Sequence, residues 1–326
     1  MKNRLFVIVK IMVSVGLVAL IFYRVDMNSF FNALKETDIY LFMAGVFFSI
    51  ASVFLRAYKW QLLLNPHGKK FSVCSLSSIS FISLFFNNFF LGSLGGDIYK
   101  IYITGNQSLS RSGPASSIIM DRITGVLVLA LTASVSGVVI YLEGGSFVSG
   151  RDVNVLLAAC FAVFVLIYAG FKIMFRVRNL RIIKKFQRID TITDRIATSI
   201  QLYERHPKAV FSSIILGFIC ILLTSLALYA YSHAAHIDIN FMSWLFINPI
   251  VSFLTMVPIS VNGLGVQEGV FIIYLTRLGI DPASSLLIAM LPRIEIIILS
   301  IIGGILYIFW NGNLPKAVTD STGQSS

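Results

Sequence analysis

Residues 87–100 read NNFFLGSLGGDIYK, inside a tract that is otherwise apolar enough to face lipid. Two asparagines, three glycines, an aspartate and a lysine are costly there, because a bilayer interior has no water to satisfy freed polar groups. Either this stretch crosses the membrane, or it enters and turns back. That choice decides the topology of the whole chain.

The surrounding composition points to a membrane. The chain has 326 residues, 56% of them hydrophobic and 13% charged, with a mean hydropathy of +0.83. So few charges could not cover the surface of a soluble domain of this size. Apolar runs near 5–23, 39–55, 123–142, 154–175, 210–232 and 285–310 approach the roughly 20 residues that span a bilayer's hydrocarbon. Shorter apolar pieces lie at 73–92, 242–258 and 266–279. The expectation is an all-α polytopic membrane protein, one integral domain over 1–313 with about six full transmembrane helices and a short disordered tail, 314–326. Lys2 and Arg4 precede the first run, but no small-residue cleavage site follows it, so it reads as a retained helix. Cys74, Cys160 and Cys220 show no paired spacing, and His233 and His236 stand as a lone pair, so no disulfide framework, metal or cofactor is expected.

Charge sets the orientation. Segment 56–72 carries Arg56, Lys59, Lys69 and Lys70 with no acid, and segment 172–208 carries ten basic residues against Asp190, Asp194 and Glu204. Segments 24–40 and 143–153 are balanced or acidic. The positive-inside rule puts the first two in the cytoplasm and the last two outside, with both termini cytoplasmic, in the cell (inner) membrane. Segment 56–72 is then inside and 143–153 outside, while run 123–142 supplies one crossing. The tract 73–122 must therefore cross an even number of times. A re-entrant, broken-helix hairpin over 73–122 meets that requirement, with NNFFLGSLGGDIYK as its tip and return arm beside a sheltered cavity.

A second polar interruption, PISVNGLGVQEG at 258–269, sits in a second expected hairpin over 242–279. A shift of 171 positions lays Gly92 on Gly263, Asp97 on Glu268, Arg122 on Arg293 and run 123–142 on 294–313. Acid and base are 25 residues apart in both copies. The charge topology turns the second copy over, which makes an inverted repeat of roughly 41–142 and 212–313. In transporters of that plan the substrate lies between the discontinuous segments.

Asp97, Asp121, Arg122, Glu268, Arg293 and Glu295 lie in or beside the apolar tracts, where ionisable groups pair up and mark function. Arg122 and Arg293 are each expected to meet an acid, with Asp97 and Glu268 in the lead and Asp121 and Glu295 as neighbours. Two readings stand side by side. The pairs brace the hairpins permanently, or one arginine exchanges its carboxylate for a lipid phosphate, which guanidinium grips in the same bidentate way. Asn87 and Asn88 satisfy freed backbone or present amides to a headgroup. Gly92, Gly95, Gly96, Gly263 and Gly265 serve hairpin geometry. GSLGGD is no P-loop, lacking the Lys-Ser/Thr and the strand-to-helix setting. Between the repeats, 176–209 spaces Leu180, Ile183, Phe186, Ile189, Ile192, Ile196 and Ile200 in steps of three and four. That marks a cytoplasmic amphipathic linker whose basic face suits an anionic leaflet and not nucleic acid.

At these residues the chain resembles the lysylphosphatidylglycerol synthase transmembrane-region, or flippase-like domain, family over nearly its whole length. Pro258, Ser260, Gly263, Gly265 and Glu268 fall on the family's P-x-S-x-x-G-x-G-x-x-E pattern. Asn88, Gly92, Gly95, Gly96 and Asp97 match its first motif, and Asp121-Arg122-Ile123 with Gly125 its aspartate–arginine motif. Leu91 replaces a usual proline and Lys100 a usual arginine, which keeps the charge but loses the bidentate fork. The resemblance implies the membrane part of proteins that make and flip aminoacylated phosphatidylglycerol, without their soluble transfer module, since 16 residues follow Trp310.

The expected function is a lipid flippase moving an anionic phospholipid or polyprenyl-phosphate-linked glycan between leaflets, and more a transporter than an enzyme. Its headgroup contacts would be Arg122, Arg293, Asp97, Glu268, Lys100, Asn88, Asp121 and Glu295, with Pro258 and Ser260 shaping the second hairpin. The alternatives are a membrane glycosyl- or acyltransferase acting on a lipid, or a non-catalytic partner of a glycosyltransferase.

Overall fold

The computed structural model describes residues 12, 27–68, 71–89, 95–106, 112–145, 147–177, 201–256 and 260–309, and among them every regular element is helical. The expected span 5–23 falls outside them apart from Met12, as do Leu91, Gly92, Pro258, most of linker 176–209 and tail 314–326. The first half holds α1 (Met27–Lys35), α2 (Ile39–Leu64), α3 (Val73–Phe89), α4 (Gly95–Asn106) and α5 (Ser112–Leu142). After α6 (Gly150–Val177) come α7 (Pro207–Ala234), α8 (Phe241–Met256), α9 (Val266–Arg277) and α10 (Pro282–Phe309).

Among the described residues, four helices are long and apolar enough to cross a bilayer: 39–67, 113–142, 207–234 and 282–309. Their outward faces are as apolar as their inward ones. Phe47, Phe211, Ile297 and Ile301 are exposed on them, as is Phe161 on α6. Water would penalise that surface and hydrocarbon would not. The molecule is a multi-pass membrane protein. The expected span 154–175 lies within the 28-residue α6.

Local chemistry sets the helix boundaries. Asp38 caps α2 by accepting from the Tyr40 and Leu41 amides. Asp281 accepts from Ala283 and Ser284 at 3.0 Å each, with Pro282 opening α10. α2 runs nine residues past the apolar stretch that predicted it. Lys59 and Trp60, which read as the start of a basic loop, are instead buried helical residues. They stay in the helix because each has a partner on α5: Lys59 an ion pair with Asp121 at 3.0 Å, Trp60 a hydrogen bond from its indole nitrogen to the Ser117 hydroxyl. Pro249 inside α8 removes the amide that would bond Leu245, and the Ser136 hydroxyl donates to that carbonyl instead.

The halves interlock. α2 and α7 form the most extensive helix pair, α3 packs along α10, and α8 packs along α5. Each short pre-break helix thus lies against the last long helix of the other half. The core between them is aromatic, with Tyr231, Trp244 and Phe246 fully buried. The α3–α10 seam is the tighter one. A Cβ on Gly303 would stand 2.1 Å from the Phe81 carbonyl oxygen, so only glycine lets these backbones meet.

Gly303→Val is expected to lower the unfolding midpoint in detergent by the equivalent of about 1–3 kcal/mol. Gly125→Ala, where a Cβ meets nothing within 4 Å, should leave it unchanged; thermal unfolding of the two purified variants checks both.

Candidate functional site

Two pairs of helices lie along the tracts 73–122 and 242–279. The first runs from α3 to α4, the second from α8 through a 3-10 turn at Val261–Gly263 to α9. The arms after the breaks are 12 residues each, and α9 begins and ends 171 positions after α4.

In the first unit Asp97 stands in the opening turn of α4, where the helix N-terminus favours a carboxylate. Arg122, in the third turn of α5, donates to its Oδ2 through Nη2 at 2.6 Å and Nε at 3.1 Å. Gly96 gives its amide to the Asn87 side-chain oxygen at 2.7 Å; a Cβ there would stand 2.6 Å from the Ser83 carbonyl. Gly95 is the first residue of α4. Lys100, one turn beyond Asp97, lies 5.1 Å from the Trp60 ring centroid, a cation–π contact.

The second unit repeats the pair with more bonds. Arg293 Nε donates to Glu268 Oε1 at 2.6 Å, and its Nη1 donates to the Asn262 carbonyl at 2.9 Å. The other Glu268 oxygen accepts the Gly265 amide at 2.7 Å. Asn262, Gly263 and Gly265 all have positive φ, which turns the chain sharply enough to aim these groups at one another. The Ser260 hydroxyl and Arg293 Nη2 are buried with no hydrogen-bond partner among the described residues.

The two units touch. Asn88 at the end of α3 accepts from the Asn262 side-chain amide and donates to the Ser300 hydroxyl and the Ile296 carbonyl of α10. Of the two roles considered for Asn88, the structure places it at backbone and side-chain partners of the second unit. Asp121 and Glu295 stand apart from the two main pairs. Asp121 meets Lys59, and Glu295 accepts from the Tyr231 hydroxyl of α7 at 2.7 Å.

Lys59, Tyr231, Asn262 and Ser300 were not singled out from the sequence. Lys59 had a usable signal: Ser49, Ser52, Lys59 and Leu63 recur at helical spacing and are all buried, so the α2 stripe runs on through it. Among the described residues no cluster of three or more metal-ligating side chains forms.

Two acid–arginine pairs among long apolar helices define a polytopic membrane protein with paired charges set against its apolar helices. The lysylphosphatidylglycerol synthase TM region family model matches residues 7–304, and the chain belongs to that family. Compared with curated proteins, the chain has no significant match.

Glu268→Gln is expected to destabilise by on the order of 3–5 kcal/mol, because it strands a buried guanidinium. The Glu268→Gln/Arg293→Gln double variant should recover most of that loss. Asp97→Asn, beside the half-exposed Arg122, should cost about 1 kcal/mol. Thermal midpoints of the four purified proteins, wild type included, test the ranking.

Proposed function

We propose that this protein is a flippase that carries an anionic phospholipid or a polyprenyl-phosphate-linked glycan between the leaflets of the cell membrane. In this reading the two interrupted-helix units are re-entrant hairpins of an inverted repeat, 41–142 and 212–313. They join about six full spans, with both termini cytoplasmic and linker 176–209 resting on the inner leaflet.

The observation that carries the reading is the duplicated acid–arginine pair at two helix breaks that meet through Asn88 and Asn262. A guanidinium held by a carboxylate is preorganised for phosphate, since two phosphate oxygens can accept the paired N–H donors that a carboxylate accepts. Exchanging one anion for the other keeps the guanidinium paired throughout. Arg122, Lys100 and Asp97 would meet the headgroup, with Asn88, Asp121, Glu295 and the Glu268–Arg293 pair around them, while the acyl or prenyl chain stays in lipid.

The test is a leaflet-asymmetry assay in phosphatidylcholine vesicles doped with phosphatidylglycerol labelled on its acyl chain. Dithionite should quench only the outer-leaflet label in protein-free vesicles and nearly all of it in vesicles holding the protein. Arg122→Ala/Arg293→Ala, checked for folding, should slow that second phase at least about tenfold. Equal quenching with and without protein, in the presence and absence of a proton gradient, would sink the reading.

A further inference from the structure

We infer that the two halves have unequal jobs: the first hairpin is the phosphate-accepting site, selective for lipids of net negative charge, and the second is a closed brace. This rests on the lipid-carrier reading above and adds the location and charge selectivity of headgroup capture.

The first argument is exposure. Arg122 and Asp97 have 39% and 17% of their side-chain surface exposed, whereas Arg293 and Glu268 have 12% and 2%. Arg293 also spends a second nitrogen on the Asn262 carbonyl, and Glu268 its second oxygen on the Gly265 amide. Releasing Glu268 would therefore orphan hairpin backbone as well as a charge. In the first pair, a single Asp97 oxygen accepts both Arg122 bonds, and phosphate can take its place without undoing the turn.

The second argument is charge. Around the first pair lie Arg56, Lys59, Lys100 and Asp121, within one another's electrostatic reach. Four cations face Asp97 and Asp121 there, with Glu295 in reach of Arg56 alone among them. The residues 171 positions further on are Ala227 for Arg56, Ala230 for Lys59, Phe271 for Lys100 and Pro292 for Asp121. Only Glu268 and Arg293 remain charged, a neutral set. Phe271 is 2% exposed and packs its ring against Trp244, so the space that holds an ammonium in one half is filled with hydrocarbon in the other. Among the described residues no carboxylate stands within ion-pair distance of Lys100.

An excess of positive charge in a partly desolvated site calls for an anion. A phosphodiester fits the Arg122 fork with the Lys100 ammonium beside it. The choline of a zwitterionic lipid would sit among like charges, so the site should discriminate by net headgroup charge.

The measurement is native mass spectrometry of the full-length protein in nonionic detergent, with phosphatidylglycerol and phosphatidylcholine in equal amounts. Wild type should retain phosphatidylglycerol preferentially. Lys100→Gln should cut that preference about tenfold and Lys100→Arg should restore it. Arg277→Gln, which removes a cation paired with Asp152 at the far end of α9 from Glu268, should leave it intact. Unchanged preference in Lys100→Gln, or a loss confined to Arg293→Lys, would overturn the assignment to the first hairpin. Inorganic phosphate binding lipid-free protein as tightly as phosphatidylglycerol would make the ligand a soluble anion and overturn the lipid assignment. Retention is read at equilibrium. Retention that depends on Lys100, without movement between leaflets, would count against transport alone; movement without such retention would count against this inference alone.

Discussion

An interrupted helix leaves backbone groups that need partners, and a carboxylate–guanidinium pair supplies them here. The turn between α8 and α9 shows how. Glu268 takes the Gly265 amide with one oxygen and Arg293 with the other, while Arg293 turns to the Asn262 carbonyl. Two side chains thus close a donor, an acceptor and each other's charge in one arrangement. An arginine is needed for this, because a lysine ammonium is a point donor that cannot hold carboxylate and carbonyl in fixed directions at once. The neighbouring positive φ values are a consequence: Asn262, Gly263 and Gly265 adopt them because the turn must bring amide and carbonyl to the same ion pair.

The long helices make this affordable in a different sense, by supplying rigidity. Gly303 lets α10 reach backbone contact with α3, and Ser300 and Ile296 on that same helix bind Asn88. Asn88 in turn bonds Asn262, whose carbonyl is already held by Arg293. A chain of contacts therefore runs from the α3–α10 seam through Asn88 and Asn262 to the second ion pair. The first ion pair lies outside that chain: Asn88 leaves α3 toward the second unit, while Asp97 begins the separate arm α4. Fixing one pair and leaving the other accessible follows from where the asparagine points.

Much of this was legible in the sequence, because the strongest signals were periodic and electrostatic. Runs of apolar residues gave the four long helices. The equal spacing from Asp97 to Arg122 and from Glu268 to Arg293 named the two pairs that the structure forms. What escaped were partners chosen by side-chain direction. Glu295 is two residues from Arg293 in sequence, but two residues are about 200° around a helix, and it faces Tyr231 of α7. Lys59 was counted as a loop charge because hydropathy falls there, although the helix continues. Hydropathy marks where lipid-facing surface ends, and helical structure goes on as long as each polar residue finds a partner.

The matched arms α4 and α9 show where function is to be sought in this fold. Their lengths and offset agree, so the backbone plan constrains both equally. Positions that keep the same chemistry in both copies, such as Asp97 with Glu268 and Arg122 with Arg293, satisfy demands of the break itself. A position at which one copy buries a phenyl ring and the other holds an ammonium is under no such shared demand. Lys100 trades apolar contacts of the kind Phe271 makes for a cation–π contact with Trp60, and no carboxylate among the described residues stands at ion-pair distance to supply a counter-charge. A ligand of opposite charge would.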